Sequence, residues 1–125
     1  MRLCAAQRLR SQADFRRIRE QGRRLDRGAF TVWWRRRDDV RAPAGPPPSL
    51  VRVGVVASIA AVGAAVQRNA AKRRLRELFR HHQNLLPPGT DLLLVARASL
   101  NRLGFREVDS NFVEACHRVQ QLSHE

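Results

Sequence analysis

Lysine is almost missing from this chain: of 24 Lys and Arg residues, 23 are Arg, and Lys72 is the one Lys. Acids are scarce as well, 11 against those 24, which leaves a net charge of +13 over 125 residues. The two cysteines, Cys4 and Cys116, stand 112 positions apart. They make neither a disulfide framework nor a Cys-x-x-Cys metal pair. The longest apolar stretch, Val53 to Val66, has 14 residues including Ser58 and two glycines, whereas a spanning helix needs about 20. The opening Met-Arg-Leu-Cys shows no charged region, apolar region and cleavage site of an export leader, so the expected location is the cytoplasm. Gly54 to Gly63 lacks the Gly-Lys-Ser/Thr ending of a P-loop. His81 and His82 are sequence neighbours, as are Cys116 and His117, and neighbours on a helix cannot chelate from one face; no metal ligands are expected. Asp38-Asp39 falls in a Pro-rich loop, and no Ser/His/Asp or Cys/His set emerges. These absences predict a binding protein without catalytic side chains of its own.

What is present is positive charge. Self-repulsion of this size opposes compaction, and a polyanionic partner relieves it. Arginine in place of lysine favours bidentate phosphate contacts and stacking. A hydrophobic content of 43% supplies one core, and the length suits a single domain over 1–125.

Residues 1–10 read as a basic N-terminal arm. Ser11 is placed as an N-cap with Asp14 in capping-box position. A short helix follows, with Phe15 and Ile18 on one face and Gly22 as its C′ residue. Residues 29–36 alternate as a strand, Phe30, Val32 and Trp34 to one side, Thr31, Trp33 and Arg35 to the other. The stretch 38–49 reads as a flexible Pro-rich hairpin connection, and Leu50 to Ala57 as a strand antiparallel to the first. Residues 64–82 have helical periodicity, with Ala71, Leu75, Leu78, Phe79 and His82 inward. Asp91 to Arg97 is a continuous apolar run, expected as a central strand buried on both faces. Phe105, Val108, Phe112, Ala115, Cys116, Val119 and Leu122 mark a final helix. The order α-β-β-α-β-α predicts an α/β fold of the α+β type, a two-layer sandwich with a small mixed sheet.

Two constellations suggest nucleic acid. Arg68, Asn69, Lys72, Arg73, Arg76 and Arg80 fall on an arc of roughly 140° along the long helix, with Glu77 the one acid between Val53 and Thr90. Like charges at 68, 72 and 76 repel at i,i+4 spacing, and bound phosphates would relieve that. Phe15, Phe30, Trp33 and Trp34 lie among arginines, a composition suited to stacking on unpaired bases, and strand alternation lets only one of Trp33 and Trp34 face the core.

The same motifs resemble the protein subunit of bacterial ribonuclease P. Its basic helix is matched by Ala65-Val66-Gln67-Arg68-Asn69-Ala70-Ala71-Lys72-Arg73-Arg74-Leu75-Arg76-Glu77. Arg52-Val53-Gly54 matches its preceding strand, and Arg8-Leu9, Asp14-Phe15 and Gly22 its opening helix. Pro88-Gly89-Thr90-Asp91 through Ala96-Arg97 matches its last strand. Ala70 departs from the third position of Arg-Asn-Arg, residues 56–62 carry none of the family's lysines, and Arg19 stands where an aromatic is common.

The resemblance implies an accessory subunit of an endonuclease whose RNA component, with Mg²⁺, removes the 5′ leader of precursor tRNA. It implies partners in that catalytic RNA and the precursor tRNA, with no membrane or small-molecule substrate. It implies RNA contacts through Arg68, Asn69, Lys72, Arg73, Arg76, Arg80, Arg52, Arg8 and Arg10. A leader cleft would hold Phe15, Trp33 and Arg19, and the fold would contain a left-handed β-α-β crossover. The alternative is a general RNA-binding or ribosome-associated protein on the same fold, without processing activity.

Overall fold

The computed structural model describes residues 7–9, 11–37 and 50–123. Most of the expected basic arm, Arg10 included, and the whole Pro-rich stretch 38–49 lie outside the described residues.

Helix α1 (Gln12–Gln21) is followed by strands β1 (Arg23–Asp26), β2 (Phe30–Arg36) and β3 (Arg52–Val56), helices α2 (Ile59–Val62) and α3 (Ala65–His82), strand β4 (Thr90–Ala96) and helix α4 (Phe105–Leu122). The mixed sheet runs β1-β2-β4-β3. β2 is antiparallel to both β1 and β4, and β3 is parallel to β4. β4 is central, as its apolar run predicts, and six of its seven residues are buried.

The main core lies on one sheet face, where Phe30, Val32, Trp34, Val53, Leu92, Leu94 and Ala96 meet α3 and α4. α3 contributes Ala71, Leu75, Leu78 and Phe79; α4 contributes Val108, Phe112, Ala115, Cys116 and Val119. The opposite face is covered in part by α1, whose Ile18 packs with Leu9 and Leu93. Around this smaller cluster Phe15, Trp33, Val56 and Val95 are only partly buried. Helices therefore lie on both faces, the second one incompletely covered.

Several local expectations are corrected. The strand at 50–57 does not pair with that at 29–36: β4 lies between them, and β3 runs parallel to it. A strand apolar on both faces gains most when paired along both edges, so β4 takes the middle. β2 finds its other partner in β1, whose sequence Arg-Arg-Leu-Asp carries little strand signal. The real hairpin is closed at Gly28, where φ is +80° and the backbone N–H donates to Asp26 Oδ1 at 2.9 Å. This is an Asx-type turn.

Gly22 is not a left-handed cap, since its φ is −96°. An added Cβ would sit 2.4 Å from both the Ile18 and the Trp34 carbonyl oxygens. Glycine is needed there because α1 ends against the β2 backbone. Ser11 Oγ accepts from Ala13 N at 3.1 Å, while Asp14 pairs with Arg17 at 3.5 Å instead of closing a capping box.

Candidate nucleic-acid interface

α3 starts without a side-chain cap or an acid in its first turn, and ends on Arg80, His81 and His82, which complement the negative end of the helix dipole. Its inward side is fixed by Ala71, Leu75, Leu78 and Phe79, all at most 2% exposed. That packing turns Asn69, Arg73 and Arg76 to solvent and leaves Arg68, Lys72 and Arg80 half-buried. Arg68 Nε is buried with no hydrogen-bond partner among the described residues.

Arg8 joins this group from elsewhere in the chain. Residues 7–9 run along the edge of β3, with an Arg8–Val53 bridge and Leu9 N donating to Val53 O at 2.8 Å. Gln7 Nε2 anchors the segment by donating to Val51 O at 3.1 Å and to Gln83 Oε1 at 2.6 Å. The Arg76 guanidinium is pushed below its ordinary pKa, by partial burial first and by the Arg8 charge second. The fold thus holds like charges close together, a cost that a phosphate offsets.

Not every arginine of the predicted row is equally available. Arg80 is bonded to Glu77, with Nε–Oε1 at 3.2 Å and Nη2–Oε2 at 2.7 Å. Arg74 turns inward and donates to the carbonyls of Leu100 (2.5 Å) and Leu103 (2.9 Å), tying the connection before α4 to α3. Arg52 is committed to buried Asp91 through Nε (2.8 Å) and Nη2 (2.7 Å). Its pKa is raised by that hydrogen bond first. Arg37 completes the clamp from the end of β2, donating to Asp91 Oδ1 at 2.5 Å and to the Leu50 carbonyl.

The second constellation lies on the opposite sheet face, beside α1. Trp33 and Trp34 are separated by strand alternation: Trp34 is 3% exposed in the core, and Trp33 is half-buried beside α1. Phe15 reaches across from α1 to β3 at Gly54, where a Cβ would lie 2.6 Å from Phe15 Cε1. Phe15, Trp33, Val56 and Val95 give an aromatic and aliphatic floor. Arg19 is exposed one turn after Phe15.

Arg24, Asp26, Arg97 and Gly54 join this surface from outside the predicted set. Arg24 sits directly opposite Trp33, with its guanidinium carbon 5.8 Å from the Trp33 ring centroid. Asp26 pairs with Arg24 and with Arg97, each at 3.7 Å. These contacts depend on the β1–β2 register, and β1 was not recognisable by pattern. Gly54 carried a usable signal, as a lone glycine within a Val-rich strand marks close approach.

Among the described residues no helix is long and apolar enough to cross a membrane, and no three His, Cys, Asp or Glu side chains come together to hold a metal ion.

The family model described as Ribonuclease P matches residues 3–120. The chain is 38% identical over 102 residues to the ribonuclease P protein component of Bordetella petrii, covering 74% of this chain and 78% of that one. It is 46% identical over 92 residues to that of Streptomyces avermitilis, covering 73% and 72%. The fold superposes on the ribonuclease P protein of Thermotoga maritima with a TM-score of 0.72 at 28% identity, over 89% of this chain and 96% of that one. It superposes on the Staphylococcus aureus protein with a TM-score of 0.71 at 23% identity, over 94% of each, a likeness of fold alone. With the family model matching nearly all of its residues, this basic chain belongs to the ribonuclease P protein components.

Proposed function

We propose that the chain acts as a single RNA-binding domain in tRNA processing, with its two constellations taking different RNA segments. Arg68, Asn69, Lys72, Arg73 and Arg76 of α3, with Arg8 beside them, hold the RNA component of ribonuclease P. Phe15 and Trp33 hold the single-stranded 5′ leader of precursor tRNA, stacking on its bases. The observation that carries this reading is the division between sheet faces. α3 packs on the main core, and the aromatic floor opens on the other side, beside α1.

Cleavage is assigned to the RNA component. Mg²⁺ keeps several waters and takes phosphate oxygens readily, and the ion is assigned to the RNA component. A cytoplasmic location accompanies that role.

One observation favours the reading as a general RNA binder. The segment before the basic helix presents Ile59, 68% exposed, with no lysine at 56–62, and the first turn of α3 presents Val66, 75% exposed. The deciding experiment is cleavage of precursor tRNA by the cognate catalytic RNA at low Mg²⁺, with and without the protein. Restored 5′ cleavage supports the subunit role; RNA binding with no effect on cleavage supports the general binder. On the α3 surface, Arg68→Ala with Arg76→Ala should lower the salt slope of RNA affinity by about two. An unchanged slope removes that row as the phosphate face.

A further inference from the structure

Arg24 occupies the cleft in a way that a binding role for Trp33 must accommodate. Its guanidinium carbon lies 5.8 Å from the Trp33 ring centroid, so the cation sits where a nucleobase would stack. Register places it there: Arg24 and Trp33 are directly opposed on antiparallel β1 and β2 and share a face. Asp26 lies two residues on, on the same face, 3.7 Å from Arg24 and 3.7 Å from Arg97. Arg97 in turn reaches Thr31 Oγ1 at 3.5 Å. Asp26 is held in position by the N–H of Gly28, and its carboxyl is pushed below its ordinary range by that bond first and by the two arginines after it.

We propose that Arg24 is a positioning residue of the cleft, stored over Trp33 by Asp26 in the free protein and released to a backbone phosphate when a single-stranded base takes the ring face. The proposal rests on the assignment of the cleft to single-stranded RNA. A guanidinium and a nucleobase compete for one π-face. The displaced cation is left beside the incoming strand, where the nearest anion is a phosphodiester. Asp26 therefore opposes binding through Arg24, and its local charge sets how readily the ring is vacated.

The test is a double-mutant cycle on the full chain, using Asp26→Asn, Arg24→Ala and the pair, with a short single-stranded RNA and a leader-bearing precursor tRNA as probes. Asn retains the Oδ1 acceptor for Gly28. Asp26→Asn is expected to tighten single-strand binding about two- to fivefold, the range of an exposed ion pair. In the Arg24→Ala background the same change should give less than half that gain. Leaderless tRNA should show neither effect. Equal gains in both backgrounds would overturn the proposal, since Asp26 would then act as general repulsion. So would no gain at all. Acrylamide quenching, which reaches half-buried Trp33 and spares buried Trp34, separates this from the underlying reading. If bound RNA fails to shield Trp33 in any variant, the cleft assignment itself falls.

Discussion

Gly54→Ala tests whether the cleft is built as described. The new Cβ would lie 2.6 Å from Phe15 Cε1, 3.1 Å from Cζ and 3.3 Å from Leu9 Cβ. Carbon atoms settle at about 3.5–4.0 Å, so the ring edge must retreat by roughly 1 Å. Overpacking of this kind costs about 1–3 kcal/mol. Phe15 is half-buried, so the ring can yield and the cost should sit near the lower end, about 1 kcal/mol. For a chain of this length that lowers Tm by about 3–5 °C. Binding should suffer more. Stacking contributes about 1–3 kcal/mol per base, so a displaced Phe15 should reduce the preference for leader-bearing over leaderless tRNA by about tenfold. The assays are a thermal melt and paired affinity measurements. Adding Phe15→Leu to Gly54→Ala should restore the melt, because a smaller side chain clears the Cβ, while the leader preference stays low. A Gly54→Ala protein that keeps both its Tm and its leader preference would refute the Phe15–Gly54 contact as the cleft's foundation.

Three further outcomes are expected. Gly22→Ala sets a Cβ against two backbone oxygens at 2.4 Å; backbone yields less than a ring, so it should cost about 2–3 kcal/mol in urea unfolding. Asp91→Ala removes the carboxylate shared by Arg37 and Arg52, whose side chains are 12% and 15% exposed, and should cost about 3 kcal/mol by the same measurement. The Cys116 thiol is pushed up to about 12 by burial, so its peptide should remain unlabelled by iodoacetamide at pH 8 in the native protein and become labelled in urea.

The sequence carried the elements whose periodicity is strong. α1, α3 and α4 appear close to their expected spans, because their apolar residues recur at three and four and bury one stripe. β4 was legible as central because its run is apolar on both faces. Pairing was not legible: adjacency of β2 to β3 was the economical guess, and a central β4 displaced it. β1 was hidden because Arg23 and Arg24 look like the tail of a basic helix. The same limit applied to the site. The α3 row follows from 100° spacing alone, whereas Arg24 over Trp33, Arg8 beside Arg76 and Phe15 over Gly54 are contacts across chain separations that no local pattern encodes. Arg52 shows the reverse case, a basic residue drawn into a buried ion pair by a register that only the sheet reveals.

The clamp of Arg37, Asp91 and Arg52 has a consequence for the spacing of β2 and β3. Arg37 also donates to the carbonyl of Leu50, and its own N–H donates to Gly89 O at 2.9 Å. Positions 37 and 50 are thereby tied to each other and to the sheet. One carboxylate on the central strand is therefore a buckle: it holds the end of β2 and the start of β3, two strands that do not pair with each other, at a fixed spacing.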